Sequence, residues 1–574
     1  MGSDYKQPLP YKIWRAGRNG GDALSSTYWR DYLKRDPNMT ELVTCVEVFF
    51  APDKRVFAST KPIAVTSENT GDSYFYQPFL SKEPEVSSSI TIGQGSSRAR
   101  SFSIKIPNQL VDCSGILEGG RYLAGYAEVS LQYDGGNYDE RMVLMRGEMD
   151  SGVTFYPRDG GAIEFSVTDP KDSSDYPVPP YTIQNGENSN FPNAIDSSNG
   201  SRFPIVLGKF GLFPCPWVKA DATMTEPIVM VTYGSTKLGS TSVYIDGEPY
   251  AKTDAVYGWE EIQSTDAGGI PYTGIQFDDV SAFSTNFSEN VYMSVKEGNY
   301  KDTNPIDQIQ YLVAGFTGLD QASTNQTLFS KARSRVTSMN SNVLINAGGT
   351  DNTSTISFIE STMCTSFPMI SMVWEGSGYG PVVVDKNAPA AYSLDVEQWP
   401  VMGRVSGVTE TPKNKVYNEF QLQYQYEALE DKYSGFALIN RTNNNLCNIS
   451  ATNCGIRQYS PIASPYIHDN HTAAIVCDWL TSHLSQPHLL VDYDCYGVMY
   501  TKVTVGDNVK LTDPEFRWRD VTATIVGIKY GSGVCTLSLC VWQTYFGLGG
   551  GAASGNLLSG ISGDASMSGG TGGE

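Results

Sequence analysis

"RSFSIKI", residues 100–106, is the stretch whose reading decides the fold class. Phe102, Ile104 and Ile106 fall on alternate positions and share one face, with Ser101, Ser103 and Lys105 between them. That is the period-two pattern of a strand half-buried in a sheet. The same alternation recurs on both sides of it. "TCVEVFF" (44–50), "SSSITI" (87–92), "GYAEVSLQY" (125–133) and "RMVLMRGEM" (141–149) all read as strands. "GAIEFSVTDP" (161–170) closes the block at Asp169-Pro170. Residues 41–180 are therefore expected to form one β-barrel or sandwich.

Composition agrees with a turn-rich β protein. The chain has 574 residues, of which 34 are Tyr, 56 Gly and 30 Pro. A length of this size allows roughly three to four domains. The formal charge is −21 with 18% charged residues and 11% aromatics, so this is not a disordered acidic chain. The acidic balance speaks against a nucleic-acid-binding surface, which needs clustered Lys and Arg. It suits a surface that nucleic acid passes without sticking. No apolar run approaches the ~20 residues of a membrane helix, and "MGSDYKQPLPYKIW" lacks the apolar core of a signal peptide. A soluble protein made in a cytoplasm is the expectation. Sequons at Asn286 and Asn325 are then chance features of polar loops. Ten cysteines lie scattered without C-x-x-C pairs, which indicates neither a zinc ribbon nor a disulfide scaffold.

Further along, residues 175 to 205 form a long Pro-, Asn- and Ser-rich connection. "EPIVMVTYG" (226–234) and "TSVYIDGEPY" (241–250) open a second β module, with Asp246-Gly247 as a hairpin turn. Helical patterning begins at "NPIDQIQYLVAGFTGL" (304–319). There Asn304 caps, Pro305 takes the first position, and Ile306, Ile309, Leu312, Val313 and Phe316 form one stripe. Shorter helices are expected near "LFSKARSRV" (328–336) and "STISFIESTM" (354–363), then a hairpin at "SMVWEGSGYGPVVVD" (371–385). "KVYNEFQLQYQYEAL" (415–429) alternates again through Phe420, Leu422, Tyr424 and Tyr426. Strands with tight turns such as Gly506-Asp507 follow from 498. A Gly- and Ser-rich tail beginning at Gly547 has almost nothing to bury.

All four histidines fall in "SPYIHDNHTAAIVCDWLTSHLSQPH" (464–488), together with Cys477. Ala473, Val476, Cys477, Leu480 and Leu484 give a helical stripe, with Asn470 as N-cap and Pro487 as the stop. Helix geometry then separates His471 from His483 by roughly 18 Å, at about 1.5 Å per residue. One metal cannot span that. The helical reading makes His483 a last-turn residue suited to the helix dipole and Cys477 a small core residue. A fold-back pairing His468 and His471 with Cys454 or Cys495 is the competing metal reading. Ser377 in "WEGSGYG" (374–380) is not a G-x-S-x-G elbow. Asp492 and Asp494 share a strand face, which is read as a solvated strand rather than a hydrolase pair. Cys535 shares a face with Leu537, Leu539 and Val541, and Cys540 faces the other way. "GLGGGA" (547–552) is followed by no helix. No residue is assigned a catalytic, cofactor-binding or metal role, and no cofactor is expected.

The order of these features resembles the hub proteins that close the distal end of the tail tube in tailed bacteriophages and gene transfer agents. A β block leads into "FPIVLGKFG" (203–211), then "NPIDQIQYLVAGFTGL", a helical middle, "NKVYNEFQLQYQY" (414–426), a helix at 472–484 and a closing block with "TVGDNVKLTD" (504–513). The resemblance covers about two thirds of the chain, near 85–215 and 300–545. It implies a mainly β fold with smaller α+β parts, built from two tube-forming β-barrel domains plus inserted α/β modules. The implied division is an N-terminal arm at 1–40, a first barrel at 41–180 and an inserted β module at 181–303. A helical α+β domain at 304–400, a second barrel at 401–548 and a flexible tail at 549–574 follow. "VYNEFQLQY" would begin the second barrel.

The resemblance further implies a virion protein assembled in the host cytoplasm, not an enzyme. It would be a homotrimer contacting distal tail or tube proteins, the tape-measure protein and fibre or tip proteins. DNA would slide through a net-negative lumen. The 205–300 module has no counterpart in the family pattern, and the cysteine content is high for it. A carbohydrate-binding or carbohydrate-cleaving surface protein is the alternative, although no repeat of 20–50 residues is present. A metal-dependent enzyme is the third reading, disfavoured by the histidine spacing.

Overall fold

The computed structural model describes residues 42–50, 54–80, 83–95, 99–107, 125–149, 154–156, 161–171, 175–220, 226–239, 242–284, 286–319, 323–345, 353–376 and 378–542. The expected arm (1–40), the tail (549–574), "GLGGGA" and Ser377 lie outside the described residues. The fold is mainly β, with curled half-barrel sheets and smaller α parts.

The first large sheet is built from the alternating segments at the head of the chain. Its strands are β1 (Val43–Phe50), β2 (Lys54–Ser59), β6 (Ser101–Pro107), β7 (Tyr126–Gln132), β8 (Met142–Met149), β9 (Thr154–Tyr156) and β10 (Ala162–Thr168). They run in the order β2-β1-β7-β8-β10-β6, with β9 beside β10, antiparallel throughout. A hairpin of β3 (Ile63–Thr66) and β4 (Ser73–Tyr76) covers one end. Buried charge fixes it there. Glu47 on β1 is fully buried and accepts from Tyr138 Oη at 3.0 Å, and also from Tyr76 and Arg55. Burial works to raise the Glu47 pKa, but Arg55 and Arg141 outweigh it and hold the carboxyl below its usual range. At Glu128, whose Oε1 accepts from Arg141 Nε at 2.8 Å, burial wins and the pKa rises.

The second large sheet takes strands from distant parts of the chain. It comprises β23 (Ala390–Asp395), β24 (Val401–Arg404), β25 (Thr409–Glu410), β29 (Leu489–Tyr496), β30 (Asn508–Asp513), β31 (Trp518–Gly531) and β32 (Val534–Val541). The order is β23-β30-β31-β32-β29-β24, with β25 beside β29; only β23–β30 is parallel. An eighth member is β5 (Val86–Ser89), which pairs with β31 and not with the first sheet. β31 is 14 residues long and β30 pairs only with its first half. The open second half, Gly527–Tyr530, is the edge that β5 fills. The expected "SSSITI" strand thus ends at Ser89 and belongs to a different sheet from the one its sequence neighbours build.

Between the sheets lie α1 (Pro305–Phe316), α2 (Gln326–Arg335) and a hairpin of β21 (Ile370–Glu375) and β22 (Gly378–Val383). Asn304 caps α1 as expected, its side chain accepting from the Ile306 N–H at 2.9 Å, with Pro305 leading the helix. The stripe of Ile306, Ile309, Leu312, Val313 and Phe316 is buried. Residues 355–366 are helical with a central π-helical turn. One continuous core joins the first sheet, these helices and the second sheet. Arg100, the first residue of "RSFSIKI", ties them together from a buried position. Its guanidinium holds Asp169 through two bonds of 2.9 and 2.8 Å. It also donates to the Leu144 carbonyl in β8 at 3.0 Å and to the Gly376 carbonyl in the β21–β22 turn at 2.9 Å.

The inserted module is a sandwich of two four-stranded sheets. One has the order β12-β19-β15-β16: Phe210–Pro214, Val291–Val295, Ser242–Ile245 and Glu248–Ala251. The other has the order β13-β14-β18-β17: Trp217–Lys219, Ile228–Tyr233, Pro271–Phe277 and Trp259–Thr265. They close over Phe213, Trp217, Val229, Val243, Phe277 and Met293, a core separate from the main one. Asp246 and Gly247 both take positive φ (49° and 93°), which gives the β15–β16 hairpin its tight turn. A strand pair, β11 (Ile205–Leu207) with β20 (Val343–Ile345), joins the module's base to the body.

"NKVYNEFQLQYQY" gives β26 (Phe420–Glu427), with Phe420, Leu422 and Tyr424 buried on the expected dry face. This strand does not open the second large sheet. It pairs with β27 (Lys432–Ile439) and β28 (Ile462–Ala463) in a separate three-stranded sheet that packs on the helix carrying the histidines.

Candidate functional site: the wet faces and open edges of the two large sheets

The histidine-bearing helix, α4, runs from Asn470 to Leu484; α3 is the preceding helix, Asn445–Cys454. The N-cap is Asp469, not the expected Asn470. Asp469 keeps extended backbone, and its carboxylate accepts from the Thr472 N–H at 2.7 Å and the Thr472 hydroxyl at 2.8 Å. Asn470 is already helical and accepts from Tyr424 Oη instead.

His471 is exposed, while His468 lies before the helix with its ring edge-on to Phe210. His483 stacks on Trp479 at 4.7 Å, and Trp542 stands edge-on to both His483 and His488. The Lys386 N–H donates to His483 Nε2 at 3.3 Å, leaving Nδ1–H to donate to the Trp479 carbonyl at 3.0 Å. Burial first, and nearby Lys386 second, push His483 down to about 3. Burial likewise takes His488 down to about 4. Both imidazoles are neutral packing units at physiological pH. Cys477 is buried on the core side of α4, and among the described residues no three His, Cys, Asp or Glu side chains converge as metal ligands.

The two sheets show a different kind of surface. On the first, Ser101, Ser103 and Lys105 of β6 stand opposite Thr168, Ser166 and Glu164 of β10. The Ser103 and Ser166 hydroxyls meet at 3.4 Å, and Phe102, Ile104, Ile106, Ile163, Phe165 and Val167 on the other face are buried. On the second sheet two rows cross four strands. One runs Ser87, Lys529, Thr536, Asp494 and the other Ser89, Gly527, Ser538, Asp492. Thr536 donates to Asp494 at 2.6 Å, Ser406 contacts Asp492 at 3.3 Å, and Lys529 pairs with Glu85 at 2.9 Å. The two aspartates are thus half-exposed members of a hydroxyl-rich face. Both wet faces carry small hydroxyls with charges of both signs. The negative charge concentrates elsewhere. Residues 205–300 hold five lysines, no arginine and twelve carboxylates, a net −7.

The sheet edges carry further information. β6 ends the first sheet, and its outer side has no strand partner among the described residues. β24 ends the second sheet in the same way. Around β24 lie Met402, 52% exposed, and Val405, 56% exposed, with Trp399, Tyr496 and Leu490 also exposed. The backbone brings these segments side by side. β24 pairs with β29 through Val401–Cys495, the Tyr496 N–H donates to the Pro400 carbonyl, and the Val405 N–H donates to the Asp492 carbonyl. Arg404 lies over the ring of exposed Phe516 at 4.6 Å, and Lys502 over Trp399 at 4.6 Å. An open edge set among apolar side chains offers both backbone hydrogen bonds and burial to a partner. No sequence motif marks it. Its signal is the run of Trp399, Met402 and Val405, which only the pairing identifies as an edge.

No protein-family model matches the sequence, and no curated protein matches it. The solved structures that align with it include tail proteins. A tail protein from Neisseria meningitidis MC58 covers 88% of this chain and 98% of its own, at 9% identity and TM-score 0.35. The 43 kDa tail protein of prophage MuSo2 from Shewanella oneidensis covers 86% of this chain and 98% of its own, at 10% identity and TM-score 0.31. The half-lidded Francisella PdpA–VgrG complex covers 91% of this chain and 62% of that one, at 8% identity and TM-score 0.32. The first two are tail proteins and the third is a PdpA–VgrG complex. Alignments at such identities and TM-scores assign neither an activity nor a site.

Proposed function

We propose that this chain is a structural virion protein of a phage-type tail, a non-enzymatic hub that assembles as a homotrimeric ring at the distal end of the tail tube. The observation that carries the reading is the β24 edge, whose outer side has no strand partner among the described residues and which is flanked by exposed Met402, Val405, Trp399 and Tyr496. An edge of this kind is an aggregation hazard in a free monomer and an interface in an assembly. With two curled sheets per chain, three chains supply six sheets, which suits a six-fold tube. The β6–β10 end of the first sheet and the β5–β31–β32–β29 part of the second each keep one face wet, so a ring of them encloses a hydrated passage.

At β6 and at the β5 end of β31 the hydroxyl-rich faces present no lone cation to DNA. Lys105 and Lys529 each have a carboxylate neighbour, Glu164 opposite Lys105 and Glu85 on Lys529. The low affinity a sliding genome needs then comes from smoothness and charge balance, with net-negative charge placed on the insert. The ring would sit in the virion after assembly in the host cytoplasm. Its partners would be distal tail or tube proteins, the tape-measure protein, and fibre or tip proteins that the ring holds. Native mass measurement tests the reading. A trimer supports it, whereas a monomer that turns over a glycan replaces it with the surface-enzyme alternative.

A further inference from the structure

Cys495 on β29 and Cys535 on β32 are directly opposed in an antiparallel ladder. They stand in the middle of one row that crosses five strands: Val86, Tyr530, Cys535, Cys495 and Val401. Opposed residues in such a ladder keep their Cα atoms about 4.5–5.5 Å apart and send both side chains to the same face. Disulfides use Cα separations of roughly 4.4–6.8 Å. Both side chains are wholly buried, and both cysteines are free thiols. Among the described residues, the other cysteines in strands lack this arrangement. Cys540 faces the opposite way and is opposed by Leu490 and Thr524, and Cys45 by Ser59 and Ser130.

We propose that Cys495 and Cys535 are a built-in redox pair that closes to a cross-strand disulfide when the protein meets a low-molecular-weight disulfide such as oxidised glutathione. One protein thiolate attacks glutathione disulfide, releasing one glutathione and leaving a mixed disulfide. The second protein thiolate attacks the protein sulfur of that bond and releases the second glutathione. Two protein thiols are oxidised, one glutathione S–S bond is reduced, and the two protons pass to the two glutathione thiolates. The new bond spans the segment that contains β30 and β31. It therefore restrains four adjacent strands of the second sheet, next to the β24 edge.

Burial raises both thiols, Cys495 up to about 12 and Cys535 well above its ordinary value. The thiolate is scarce while the sheet is closed, so exchange follows transient opening of residues 497–501, whose Gly497 and Tyr500 lie against Tyr530 in the same row. The pair is accordingly kept reduced in a reducing cytosol and closes slowly in an oxidising medium. The inference stands on strand register and does not depend on the assembly reading.

The test is non-reducing peptide mapping of the full chain after incubation with oxidised glutathione, first in buffer and then in sub-denaturing urea. Expected is a Cys495–Cys535 cross-linked peptide pair, about two mass units lighter than the reduced peptides together. It should persist in Cys540→Ala and vanish in Cys535→Ser, and oxidation should raise the urea midpoint of the wild type and of Cys540→Ala but not that of Cys535→Ser. Both thiols still free in urea, each carrying its own glutathione, or either joined to a different cysteine would overturn the proposal.

Discussion

At the outer side of the first sheet, β6 shows solvent Ser101, Ser103 and Lys105. At the end of the second, β24 shows Met402, with Val405, Trp399 and Tyr496 beside it. Both are strands at the ends of curled sheets. The lysine and serines of β6 are the sort of side chain that keeps an edge from pairing, and the apolar fringe of β24 is the sort that rewards pairing. Similar architecture therefore carries two opposite surface chemistries in one chain. A head-to-tail contact, edge of one copy to a different surface of the next, needs such an asymmetry and closes into a ring where the rotation allows.

The sharpest way to break the comparison is to give β24 the chemistry of β6. Met402→Lys with Val405→Lys should leave only monomer by native mass measurement. The fold should lose no more than about 0.5 kcal/mol, because both side chains are exposed. Lys105→Ala on β6 should leave the oligomer intact. If charge at β24 is tolerated and loss of charge at β6 is not, the roles assigned to the edges are reversed.

A large but purely internal effect is expected at Arg100, which bonds Asp169 and two carbonyls from buried surroundings. Arg100→Ala leaves a buried carboxylate without its cation and should cost about 3–5 kcal/mol in urea denaturation. A loss below about 1 kcal/mol would mean that the tie between the first sheet and the β21–β22 hairpin is ornamental.

Acid should act on the second sheet before the first. His483 and His488 have folded pKa values of about 3 and about 4, below the ordinary 6.5. The unfolded chain therefore binds more protons, so stability is full above about pH 6.5 and falls as pH drops toward 4. The loss is roughly 2 kcal/mol per imidazole at pH 5. Glu47, held below its ordinary 4.5, contributes stability that is lost only as pH falls below that value. Amide exchange at pH 5 should show α4 and β32 loosening while β1 stays protected, and His483→Gln should remove that imidazole's share of the slope. The smallest change belongs to the wet face. Ser103→Ala removes one hydroxyl at 3.4 Å from Ser166 and should shift stability by less than about 0.5 kcal/mol.

Local patterns carried a good part of this molecule. The alternation in "RSFSIKI" names the buried face of β6 residue by residue, because a pleated strand turns side chains over at each step. Asn304-Pro305 marks the start of α1 for an equally local reason, since a helix leaves its first N–H groups unpaired. The turn at Asp246-Gly247 requires positive φ and so is written in its own two residues. Asp469 was missed as the cap of α4 because two adjacent residues offer the same oxygen, and only backbone geometry chooses between them.

What the chain's order of residues determined by itself was the kind of element at each place and which side of it faces inward, since both follow from interactions a few residues long. Tertiary structure alone decided partnership. β5 joins β31 some 440 positions away, β26 leaves the large sheet, Arg100 becomes a buried tie, and two cysteines 40 positions apart become neighbours. Strand pairing is set by which backbone edge is left open once the rest has packed, and no local pattern records that.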